Sequence, residues 1–125
     1  MYIILITLVS CTYDNENSLP AKASQSLPDT VSFHKNVQPI FTSNCDNNGC
    51  HAGAIPSNRI NLDSTLAYSQ LLKSGSGYVD TINPSSSVIY VSIISVSDPM
   101  PPGEKLSDYD IQLILKWIQQ GAKNN

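Results

Sequence analysis

Two cysteines separated by four residues, with a histidine directly after the second, constrain this chain more than any other stretch: Cys45-Asp-Asn-Asn-Gly-Cys50-His51. Asn, Asp and Gly favour turns and left-handed backbone, so the polar segment from Asn44 to Gly53 is expected to be a loop and not a regular element. Regular structure must therefore be built on either side of a loop that carries two thiols and an imidazole. With 125 residues the chain has room for one domain and not for two separate cores. Charged residues make up 14% of it, the net charge is −3, and no Lys/Arg cluster occurs. That excludes the phosphate-neutralising surface needed to bind nucleic acid.

The flanking segments read as short helices. Ser32 can cap a helix that places Val37, Ile40 and Phe41 on one face, and Pro39 keeps that helix short or bent. A second helix is expected over Thr65 to Lys73, capped by Asp63 or Ser64, with Leu66, Leu71 and Leu72 inward. Lys73 to Thr81 is a Gly/Ser loop. Asn83-Pro84 is an N-cap followed by proline at the first helical position, leading into Ser85 to Ser95; the run Val88-Ile89-Tyr90-Val91 also has strand propensity. Asp98 to Gly103 (DPMPPG) contains three prolines in six residues and can be neither helix nor ladder strand. The last helix is the best marked, with a capping box at Ser107 and Asp110, a stripe of Ile111, Ile114, Leu115 and Ile118, and Gly121 at its stop. The expected fold class is all-α: three to five short helices joined by long loops, with little continuous core. Candidate core residues are Val37, Ile40, Phe41, Leu62, Tyr68, Leu71, Val88, Ile89, Pro99, Ile111, Ile114 and Ile118. Trp117 and Tyr90 suit either a cofactor pocket or the domain surface.

The N-terminus has a different character. Tyr2 to Val9 is apolar but far shorter than the roughly 20 residues that span a bilayer as a helix, which fits the apolar region of an export signal. Leu8-Val9-Ser10-Cys11 resembles a bacterial lipobox. That likeness implies a lipid-anchored exported protein acylated at Cys11, although no Lys or Arg precedes the apolar run. A buried N-terminal strand through Ile3, Ile4 and Leu5 is the competing reading. Residues 12–31 are rich in Ser, Asn, Asp and Pro without periodicity, and read as a tether with a reach of about 25 Å. The organisation expected is thus a signal and lipobox over 1–11, a tether over 12–31 and a folded domain over 32–125.

Two thiols beside a histidine also form the c-type haem attachment motif, in which the sulfurs add to the haem vinyl groups and the imidazole ligates iron. The usual spacing has two residues between the cysteines, and here there are four. A Cys45–Cys50 disulfide, natural in an oxidising compartment, and a structural zinc site made of both thiolates, His51 and His34 are the alternatives. For a haem iron, Met100 is the candidate second axial ligand. It is the one methionine besides Met1, and it lies in the stiff Asp98–Gly103 loop. A methionine that merely fills a core gap is the alternative, although packing alone explains a Met in a polar loop poorly, and His34 is a rival ligand.

Taken in order, VQPIF (37–41), C-x4-C-H (45–51), LDS (62–64), NPSSSVIY (83–90), MPPG (100–103) and LSDYDIQLILKWIQQGA (106–122) resemble the cytochrome c-like domains of exported bacterial proteins, particularly lipoproteins of the Bacteroidetes type. The likeness covers roughly residues 33–123. It implies a cytochrome c-like fold around one haem c, with thioether bonds at Cys45 and Cys50, His51 as proximal and Met100 as distal iron ligand. It further implies electron transfer and not enzymatic turnover, redox partner proteins at a membrane, and a periplasmic or cell-envelope location. Such domains often sit within larger multidomain proteins. A haem enzyme or small-molecule sensor with a displaceable Met100 is one alternative function; a non-haem exported interaction module with a Cys45–Cys50 disulfide is another. Arg59 is a candidate partner for a haem propionate, against the simpler reading of a solvated side chain.

Overall fold

A computed structural model describes residues 25–46 and 50–125. The export signal, Cys11 and the tether as far as residue 24 lie outside the described residues. Among the described residues the structure is helical and contains no β-strand. Four α-helices follow one another: α1 (Gln38–Asn44), α2 (Ala67–Leu71), α3 (Val88–Ile94) and α4 (Asp108–Gln119).

A wide π-helical turn, Phe33–Val37, leads directly into α1. Ser32 starts it as expected, its Oγ accepting the Lys35 N–H at 3.2 Å while its carbonyl accepts from both Asn36 and Val37. Pro39, which has no N–H to donate, sits in the first turn of α1, where that loss is harmless. Helix α2 is shorter than the sequence suggests. Asp63 accepts from the Thr65 N–H and hydroxyl at 2.9 and 2.6 Å, which holds residues 63–66 in a turn, and the helix starts only at Ala67. The segment after Asn83 is helical and not a strand, but it is broken. Pro84–Ser86 form one 3-10 turn, and α3 restarts after Ser87, whose extended backbone (φ −57°, ψ 129°) interrupts the ladder. Ser87 is fully buried and pinned there, its Oγ accepting the Asp80 N–H at 2.9 Å.

Helix α4 follows its sequence signals closely. Ser107 Oγ accepts the Asp110 N–H at 3.1 Å and donates to the Asp110 carboxylate at 2.7 Å. At the other end Gly121 takes φ +91°, which a β-carbon would penalise, and the bonds Gly121 N–H to Ile118 O and Ala122 N–H to Trp117 O close a Schellman motif.

The core is larger than the sequence suggests and is centred on aromatic rings. Phe33 and Trp117 are fully buried with centroids 5.1 Å apart, and Phe33 also stands 5.2 Å from Tyr68 and 6.4 Å from Phe41. Trp117 is thus neither a surface residue nor a lining of the cleft described below; it is the centre of the core, with its Nε1–H donating to Lys123 O at 2.9 Å. Val37, Ile40, Phe41, Leu62, Leu71, Ile111, Ile114 and Ile118 are buried as expected. Three expectations are corrected. Leu66 is 43% exposed, because it precedes the shortened α2. Leu113 and not Leu115 completes the buried face of α4, and Val88 is 44% exposed. The folded unit also begins before Ser32: Val31 is buried, its N–H donates to Gln120 Oε1 at 2.9 Å, and Gln120 Nε2 donates to Asp29 O at 2.7 Å. Residues 29–31 of the expected tether are therefore docked on the end of α4.

Candidate functional site

The end of α1 delivers Cys45. Its N–H and that of Asp46 both bond to Phe41 O, at 2.7 and 2.8 Å, which turns the chain out of the helix. Asn47 to Gly49 lie outside the described residues. The chain then returns, and the His51 N–H bonds to Cys45 O at 3.2 Å, bringing the imidazole residue back beside the first cysteine. Cys50 is anchored through its carbonyl, which accepts the Ser57 N–H at 2.6 Å. The strap Ile60–Leu62 then holds His51 twice. Leu62 N–H donates to His51 O at 2.7 Å, and His51 Nδ1 lies 3.4 Å from Ile60 O. A ring nitrogen that donates to a backbone carbonyl leaves Nε2 as the nitrogen available to a ligand.

Met100 arrives from the opposite end of the chain. Its N–H donates to Ser92 O at 3.1 Å, tying the proline-flanked loop back onto α3, and the Met100–Pro101 peptide is cis. Cys45, His51 and Met100 line one cleft. Its other walls are largely apolar: Phe41 from α1, Ile60 and Leu62 from the strap, Val88, Ile89 and Ile93 from α3, and Leu106 ahead of α4, with Asn58, Tyr78 and Ser92 as the polar additions. The cleft is partly open to solvent and its cavity volume is about 110 Å³, below the roughly 300–1,000 Å³ range of small-molecule and cofactor sites.

Not every sequence candidate reaches this cleft. Cys50 is half-buried beside it without lining it, and both cysteines are free thiols. His34 is exposed on the turn before α1, where its N–H bonds to Asn125 O and its ring meets the edge of Phe33. It is not part of the cleft, and among the described residues no group of three or more His, Cys, Asp or Glu side chains is arranged to hold a metal ion. That arrangement counts against the zinc reading. Burial first, then negative charge on Cys50 and Asp46, push the Cys45 thiol from 9.0 up to about 11. Arg59 is exposed and lines a separate hollow with Gly53 to Pro56. Its neighbour Asn58 is the residue that lines the cleft, at φ +53°, with its carbonyl accepting the Tyr78 hydroxyl at 3.3 Å. Asn58, Tyr78 and Ser92 carry no local motif that marks them as site residues.

The raised Cys45 pKa has a measurable consequence in the reduced, haem-free chain. The folded state holds the thiol proton more tightly than the unfolded state, so the associated stabilisation is complete below pH 9 and is lost as pH rises through about 11. Urea unfolding midpoints are expected to fall across that window, with a loss of stability on the order of 2 kcal/mol. Cys45→Ala should flatten the fall; an equal slope in the variant would assign it to other groups.

Searches with protein-family models, against curated proteins and against solved structures find no match to this chain. The chemistry of the cleft therefore carries the functional reading.

Proposed function

We propose that the protein is an electron-transfer c-type cytochrome that holds one haem c in this cleft. The observation that carries the reading is convergence: the histidine of a two-thiol loop and the chain's one internal methionine, far apart in sequence, line the same mainly apolar cavity. The donor set fits the group. Cys45 and Cys50 would supply the thioether bonds, His51 the proximal and Met100 the distal iron ligand. When bound, the haem supplies a one-electron couple at the iron.

The protein's own contributions follow from its contacts. Ile60 O orients the His51 ring and raises its basicity as a ligand. The bond to Ser92 O and the flanking prolines keep Met100 from drifting out of the cleft. The apolar walls would limit water around a bound haem and so disfavour its more charged oxidation state, and a thioether from Met100 would raise the potential further. With His51 and Met100 both holding the iron, no position would be left open for a substrate, and the activity would be outer-sphere electron transfer and not turnover. Acylation at Cys11 with the following tether would keep the carrier at a membrane, near membrane-bound redox partners. The chain is accordingly proposed to be exported to the periplasm or cell envelope.

Coexpression with a c-haem maturation system tests the assignment. Haem stain should stay with the polypeptide on a denaturing gel, and Cys45→Ser/Cys50→Ser should abolish it. A full yield of colourless protein with a Cys45–Cys50 disulfide would instead support a non-haem interaction module.

A further inference from the structure

Gln38 and Ser87 are the two polar side chains buried among the described residues, and Ser87 is accounted for by the Asp80 turn. Gln38 stands on α1, 6% exposed. Its Nε2 donates to Leu62 O at 3.2 Å and to Thr42 Oγ1 at 3.3 Å, while its Oε1 has no hydrogen-bond partner. The reverse orientation of the amide would set oxygen against the Leu62 carbonyl, so the donor faces the strap. The connection continues from there: Leu62 N–H holds His51 O at 2.7 Å, and Ile60, two residues earlier, presents its carbonyl to His51 Nδ1.

We infer that Gln38 is the positioning residue of the His51 strap, fixing Leu62 against α1 and through it the orientation of the imidazole. It does not line the cleft and acts through the backbone of residues 60–62. Outer partners of this kind are worth about 10- to 100-fold in ligand affinity at metal sites. The role of the strap towards His51 as an iron ligand rests on the cytochrome reading; the coupling of Gln38 to Leu62 does not.

Gln38→Leu tests it in the full chain. Leucine is larger by only about one methylene, and the loss of an unpartnered Oε1 costs nothing, so the fold should persist with at most a modest loss of stability. The Leu62 amide is expected to exchange with solvent on the order of 5- to 10-fold faster, as expected for one lost hydrogen bond in the strap, while Ile114 and Ile118 exchange as before. In haem-loaded protein the reduction potential should rise, because a loosened Ile60 contact makes His51 a weaker donor to ferric iron. Gln38→Glu should restore native exchange only at low pH, where the carboxylic acid can donate to Leu62 O. Native exchange at Leu62 in a folded Gln38→Leu chain would overturn the proposal, and so would faster exchange spread equally over the core. A wild-type chain that attaches no haem defeats the cytochrome reading, and the exchange comparison reports on Gln38 independently of it.

Discussion

Haem-loaded protein with Met100→Ala is expected to lose the far-red charge-transfer band of Met-ligated ferric haem, and its reduction potential should fall by on the order of 0.1–0.3 V, within the roughly 0.8 V that axial ligation spans. Met100 is the one thioether in the cleft, and no second histidine lines it to take its place. Removing it opens an axial position, so the reduced variant should also bind carbon monoxide at neutral pH where the native protein does not. The fold itself should tolerate the change. Met100 is half-buried at the edge of the cleft, and its backbone bond to Ser92 O survives substitution. Native protein that binds carbon monoxide readily would favour a sensor or haem enzyme with a displaceable methionine.

The second large effect lies away from the cleft. Trp117→Ala is expected to cost about 3–5 kcal/mol, the usual range for deleting a large buried aromatic side chain. Domains of this kind have only about 5–15 kcal/mol in total, so the variant should unfold at a much lower urea concentration or fail to accumulate. The indole is fully buried against Phe33 and near Tyr68, and its Nε1–H secures the chain at Lys123 after the Schellman stop. The same stretch brings Ala122 O to the Tyr68 hydroxyl and Asn125 to the backbone of Phe33 and His34. Loss of Trp117 therefore removes both packing and the closure between the two ends of the described chain. A Trp117→Ala protein with native stability would show that the cleft, and not this cluster, holds the domain together.

What was legible in the sequence was what is decided locally. The cap at Ser107, its reciprocal bond with Asp110 and the left-handed Gly121 depend on neighbours within one turn, so α4 could be read from the chain alone. The start of α1 at Ser32 is of the same kind. Where a polar side chain has a competing bond, the local pattern overstates the helix. Asp63 holds Thr65 in a turn ahead of α2, and Ser87 is drawn into the Asp80 turn and splits the segment around α3. Phe33 is marked less clearly: it stands at the first position after the cap and extends the stripe of Val37 and Phe41 by one turn at the i, i+4 spacing. In the cleft, His51, Cys45 and Met100 were recognisable from residue type and motif. The walls drawn from Ile60, Tyr78, Ser92 and Leu106 were not, since only tertiary packing brings those segments together.

The haem assignment is tested most directly by the absorption spectra of wild-type protein made with c-haem attachment machinery, recorded oxidised and reduced, before and after carbon monoxide. A sharp low-spin reduced spectrum, a ferric far-red band and no change with carbon monoxide are expected from His51 and Met100 on one covalently held haem. A colourless chain, or a pigment that washes out on denaturation, would contradict it.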